Sequence, residues 1–133
     1  MPRVQLISIV DDDDALRNSL DDLIRSIGFR TQGFASAEEF MSSNQARHTA
    51  CLILDVRMPG MSGLDLHRQI VATNWRIPII FVTSHANDGA RALSLQRGAV
   101  AFLYKPFREE ELLNAIDAAL KHSRDHKFTV DAD

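Results

Sequence analysis

One cysteine, Cys51, stands in a chain of 133 residues, so no intramolecular disulfide can staple the fold. That scarcity fits a reducing compartment. Cys51 lies inside an apolar run, where a small core residue is the expected reading. No apolar run approaches the ~20 residues that cross a bilayer, so no membrane association is expected. The opening Met1-Pro2-Arg3-Val4 lacks the long apolar stretch of a signal peptide. The expected location is the cytoplasm. Blocks of Lys and Arg are missing too, and the net charge is -3. Direct nucleic-acid binding by this domain is therefore not expected, because phosphate contacts need a basic face. The five histidines, His48, His67, His85, His122 and His126, show no ligand spacing matched by Cys or carboxylates. A zinc centre is not expected.

What is present is an alternation of short apolar runs with longer periodic segments. Val4 to Val10 reads as a buried strand that runs into Asp11 to Asp14. Leu16, Leu20, Leu23, Ile24 and Ile27 then recur at helical spacing, with Gly28 as the stop. Phe29 to Phe34 is a short strand. Ser36 and Glu39 form a capping box for a helix through Met41. Cys51 to Leu54 is an apolar strand ending at Asp55, and Met58-Pro59-Gly60 forces a loop. Ser62 or Gly63 opens a helix through Val71. Ile77 to Val82 is a strand closing on Thr83-Ser84. Asn87 to Arg97 is weakly helical, and Val100 to Tyr104 is a last strand before Lys105-Pro106. Glu109 to Lys121 carries Leu112, Leu113, Ile116 and Leu120 on one helical face. Residues 122–133 are polar and aperiodic, a frayed tail or the start of a linker.

Strands with so few polar residues are buried on both faces, the mark of a parallel sheet covered by helices. In such α/β sheets ligands bind beyond the carboxyl ends of the strands. Asp11 and Asp12 follow the first strand, Asp55 ends the third, Thr83 the fourth and Lys105 the fifth. Carboxylates gathered at one rim repel each other unless a cation sits among them, and oxygen ligands suit a hard divalent ion such as Mg²⁺. A metal, an ammonium and a hydroxyl around one carboxylate make a site for a phosphoryl group. A carboxylate can be the nucleophile and yield an acyl phosphate. Asp55 is the candidate, since it stands alone at the end of a central strand. Spacing leaves open which of Asp11 to Asp14 touch the metal, because acidic residues also favour a helix's first turn.

These motifs together resemble the receiver domain of two-component response regulators. The matching residues are Ile9-Val10-Asp11-Asp12, Leu54 to Gly63, Val82-Thr83-Ser84 and Lys105-Pro106-Phe107. The likeness runs from about Val4 to Lys121 and is greatest to receivers that precede helix-turn-helix output domains. It implies a flavodoxin-like, doubly wound, five-stranded parallel sheet of order 2-1-3-4-5 with five helices, a fold for which a receiver is one of the standard examples. The domain is then 1–121. The resemblance implies that Asp55 accepts phosphate from a histidine kinase. Asp12 and Asp55 would ligate Mg²⁺ through side chains, Asp11 partly through water, and Arg57 through its backbone carbonyl. Thr83 and Lys105 would contact the phosphoryl oxygens, and Lys105–Pro106 would be a cis peptide. Phe102 would be the switch aromatic that turns inward as Thr83 moves toward the phosphate. Arg57 and His85 would border the site and tune phosphate lifetime.

The implied function is a signalling switch rather than an enzyme: it catalyses only its own phosphorylation and dephosphorylation. The changed face, formed by the fourth helix, fifth strand and fifth helix, would engage a downstream protein, an output domain regulating transcription, or a second copy of the chain. A phosphatase with an aspartyl nucleophile would need a cap for which no insertion is visible. A nucleotide binder would need a Gly-rich or hydroxyl-rich loop where Asp11 to Asp14 stand.

Overall fold

The computed structural model describes residues 4–84 and 88–132, with side chains described through Lys121. The elements are β1 (Leu6–Val10), α1 (Asp14–Ser26), β2 (Arg30–Phe34), α2 (Ala37–Ser42), β3 (Thr49–Asp55), α3 (Gly63–Ala72), β4 (Ile79–Thr83), α4 (Asp88–Gln96), β5 (Ala101–Tyr104) and α5 (Glu109–Ala132). A short 3₁₀ turn, Ala46–His48, leads into β3. All pairings are parallel, and the sheet order is β2-β1-β3-β4-β5. This is the doubly wound, flavodoxin-like arrangement expected from the sequence.

The two-residue period of β3 divides the core. Leu52 and Leu54 face one layer with Phe40, Leu66, Ile70, Phe81 and Phe102. Cys51 and Ile53 face the other with Ile7, Ile9, Leu20, Ile24, Leu112 and Ile116. The side chains of β1 and β4 are buried throughout, as strands between two helical layers require. β2 lies at the edge and is largely exposed, which accounts for its polar Thr31 and Gln32.

Caps fix the helix starts. Asp13 Oδ1 accepts from the Leu16 amide, so α1 begins one residue later. The Ser36 hydroxyl accepts from the Glu39 amide, and the Glu39 carboxylate returns to the Ala35 amide rather than to that of Ser36. Ser62 caps α3 through the Asp65 amide.

Several boundaries shift by a residue or two, and one departs widely from expectation. α5 continues to Ala132 instead of ending at Lys121. Apolar periodicity marks the stretch of a helix that is buried, and backbone hydrogen bonding can carry the helix on where that stripe has stopped.

Candidate functional site

The parallel topology delivers Asp11, Asp12, Asp13, Asp55, Arg57, Thr83, Ser84 and Lys105 to one cleft at the carboxyl rim of the sheet. Every expected metal or phosphoryl contact lines it. Phe102 lies beneath: it is buried, with its ring 5.8 Å from Phe81 and 5.5 Å from Tyr104. His85, expected at the border, lies outside the described residues.

Asp11 is fully buried and held on all sides. Its Oδ1 accepts from the Asp13 amide at 2.9 Å, and its Oδ2 from Lys105 Nζ at 3.0 Å. Its backbone carbonyl accepts from Arg17 Nη1 at 2.6 Å. The acidic run therefore divides its tasks. Asp11 and Asp12 face the cleft, Asp13 caps α1, and Asp14 pairs with Arg17 at 2.5 Å.

Asp55 closes β3 with little exposure, and its Oδ1 accepts from the Arg57 amide at 3.4 Å. Lys105 Nζ lies 4.0 Å from the same oxygen, so one ammonium serves both Asp11 and Asp55. The Lys105–Pro106 peptide is cis, and the Lys105 amide donates to the Thr83 carbonyl at 2.7 Å. Thr83 is buried at the end of β4.

The electrostatics call for a cation. Oxygens of Asp11, Asp12 and Asp55 lie within 4.8 Å of one another, with Lys105 as the cation beside them. Burial pushes the Asp55 carboxyl up to about 7, and Asp11 and, less strongly, Asp12 add to the rise; Lys105 and the Arg57 amide oppose it. A carboxyl so raised is one whose charge lacks compensation. The donor set is all oxygen, which fits Mg²⁺ and not a thiolate- or imidazole-bound ion.

Sequence reasoning passed over Arg17, and read Gly63 only as a possible helix start and part of the family motif, though both build this cleft. Arg17 fixes the Asp11 backbone from one turn along α1. Gly63 lets the start of α3 approach the end of β3, its amide donating to the Val56 carbonyl at 2.9 Å. A glycine just inside a helix, where propensity disfavours it, was the available signal for a close approach.

A family model described as the response regulator receiver domain matches residues 7–117. The chain belongs to this family. Among curated relatives of this receiver, the response regulator protein TodT of Pseudomonas putida is 49% identical over 119 residues, covering 90% of this chain and 52% of TodT. Nodulation protein W of Bradyrhizobium diazoefficiens is 44% identical over 119 residues, with coverage of 90% and 52%. The receiver spans about half the length of these relatives. Among solved structures, response regulator StyR superposes with a TM-score of 0.89 at 37% identity, over 98% of this chain and 66% of StyR. FixJ-N gives 0.80 at 32% identity, over 91% and 97%. No helix among the described residues is long and apolar enough to cross a membrane.

Proposed function

We propose that this receiver takes a phosphoryl group from a histidine kinase onto Asp55. The observation that carries the reading is the cluster of Asp11, Asp12 and Asp55 oxygens within 4.8 Å, bordered by Lys105 and Thr83. An Asp55 oxygen attacks phosphorus in line while the bond to the kinase imidazole breaks, giving an acyl phosphate. The attacking oxygen must be ionised, and burial together with the neighbouring Asp11 charge pushes Asp55 toward its protonated form unless a cation joins it. Asp12 and Asp55 would hold Mg²⁺ through side chains, with Asp11 acting partly through water and Arg57 contributing its carbonyl. Bound there, Mg²⁺ supplies charge that keeps Asp55 ionised and neutralises the transferred oxygens.

Lys105 then trades partners. Its ammonium, 3.0 Å from Asp11, turns to a phosphoryl oxygen and neutralises charge that grows during transfer. Thr83 donates its hydroxyl to another. The pull on Thr83 is felt at Phe102, whose ring meets Phe81 two residues before Thr83 on β4. The face of α4, β5 and α5 changes and engages an output domain acting on transcription, a separate downstream protein, or a second copy of the chain. The phosphate is lost again at this site, and Arg57 and His85 set how fast. The protein acts in the cytoplasm, and the domain itself touches neither membrane nor DNA.

The test is intact-mass spectrometry after incubation with acetyl phosphate and Mg²⁺. One phosphoryl adduct is expected, absent in Asp55→Asn and absent without metal. An adduct that survives Asp55→Asn would overturn the assignment.

A further inference from the structure

One peptide unit joins Asp11 to Asp12, two of the three carboxylates in the acidic cluster, and it is held from outside the cleft. The Asp11 amide donates to the Phe34 carbonyl at 3.1 Å, continuing the β1–β2 ladder. The Asp11 carbonyl accepts from Arg17 Nη1 at 2.6 Å. A carbonyl fixed in direction fixes the plane of its peptide, and with it the path of the chain into Asp12. Asp11 has further anchors for its carboxylate in Lys105 and the Asp13 amide. Asp12 is exposed, so the backbone that carries it does most to aim its carboxylate.

Arg17 has a seat that suits it to this one position. Its side chain is 19% exposed, and its Nη2 donates to Asp14 Oδ1 at 2.5 Å, so both arms of the guanidinium fork are engaged. Its stem lies across Gly33 of β2. A Cβ at Gly33 would come within 3.2 Å of Arg17 Cδ and 3.3 Å of Cγ. Glycine inside a strand costs backbone entropy and packs nothing, and it marks places where another group comes close. Gly33 also directly precedes Phe34, whose carbonyl holds the Asp11 amide. Groove, fork and ladder thus converge on the peptide between Asp11 and Asp12.

We propose, on the footing that the acidic cleft holds Mg²⁺, that Arg17 is a positioning residue that biases the cleft toward Mg²⁺ and against the larger Ca²⁺. Mg²⁺ demands near-ideal octahedral geometry at short distances, whereas Ca²⁺ accepts longer and less regular shells. Carboxylates held in one relative orientation serve the first ion more than the second. Loosening the Asp11–Asp12 peptide therefore costs Mg²⁺ more than Ca²⁺. Charge alone gives the opposite sign. Arg17 is a cation beside the cluster, and its removal would tighten any divalent ion if only Coulomb repulsion were at work.

The experiment is calorimetric titration of the whole chain with Mg²⁺ and, separately, with Ca²⁺, beside metal-free urea unfolding. Arg17→Gln should weaken Mg²⁺ binding by about tenfold or more, and Ca²⁺ binding by a severalfold smaller factor. Arg17→Lys should behave like Arg17→Gln, because one ammonium cannot reproduce the planar fork. Gly33→Val keeps the guanidinium but fills its groove, at an exposed edge-strand position that suits a β-branched residue. It should weaken Mg²⁺ in the same selective way, and it decides the matter if the Arg17 variants do not fold. Mg²⁺ binding as tight as wild type or tighter in Arg17→Gln, equal losses for both ions, or an unaltered Gly33→Val would each overturn the role of Arg17 while leaving the cleft a metal site. Wild type that binds neither ion would sink the metal site itself, and this role with it.

Discussion

Gly63 stands against the backbone of Asp55 so closely that a side chain has no room. A Cβ there would lie far inside van der Waals contact distance of the Asp55 carbonyl oxygen and 2.9 Å from its carbonyl carbon. Backbone cannot rotate away as a flexible side chain would, so the start of α3 or the end of β3 must shift. Gly63→Ala is expected to destabilise the domain by about 2 kcal/mol or more and to slow labelling of Asp55 by acetyl phosphate. Urea unfolding and the labelling rate check both. A variant with the wild-type midpoint and rate would show that the approach is looser than drawn.

The raised carboxyl of Asp55 makes metal-free stability depend on pH in a stated direction. Its folded value, about 7, exceeds the ordinary 3.8, so the native state holds this proton more tightly than the unfolded chain does. Between those values the folded state binds more protons, and this group's contribution to stability falls as pH rises. Asp55→Asn without metal is therefore expected to be more stable than wild type at pH 8, by about 1–2 kcal/mol after allowance for screening at a partly solvated rim. The gain should vanish near pH 4, and Mg²⁺ should narrow it at pH 8 by stabilising only the wild type. Thermal melts at the two pH values, with and without Mg²⁺, decide it; a variant less stable than wild type at pH 8 contradicts the assignment.

Lys105 competes with any divalent ion for the same carboxylates, lying 3.0 Å from Asp11 and 4.0 Å from Asp55. Lys105→Met is expected to tighten Mg²⁺ binding by roughly tenfold while phosphorylation of Asp55 drops sharply. The two readouts move in opposite directions, which a variant that simply unfolds would not produce. Calorimetric titration with Mg²⁺ and the acetyl phosphate assay provide them.

Cys51 is fully buried, and burial pushes its thiol up to about 12. With so little thiolate, iodoacetamide at pH 8 should leave the native protein unmodified for hours, and should alkylate it within minutes in urea. Rapid modification of native protein would mean that β3 opens readily.

The Asp11–Lys105 ion pair shows how far apart in sequence the parts of this site lie, for 94 positions separate its members. Their convergence was nonetheless legible. Each followed an apolar run, and a parallel sheet must place all such run ends on one rim. The division of labour within Asp11 to Asp14 was not legible, because all four share one chemistry and differ only in where the first turn of α1 points them. The contacts of Trp75, between α3 and β4, were likewise not legible: it stacks on Phe40 with 5.7 Å between ring centroids and an interplanar angle of 3°, under the Arg47 guanidinium at 4.6 Å.

By itself, then, the sequence determined the order and kind of the elements, the two-layered core and the membership of the acidic rim. Those follow from periodicity and from what ends each strand, which are local properties of the chain. Only the tertiary structure decided that Gly63 must lack a side chain, that Arg17 braces Asp11, that α5 runs on to Ala132 and that the buried His67 ring packs edge-on against Phe81. Three of these depend on how closely particular atoms from different elements or turns approach, and such distances are set by packing of the whole core. The fourth depends on backbone hydrogen bonding continuing where the apolar stripe has stopped.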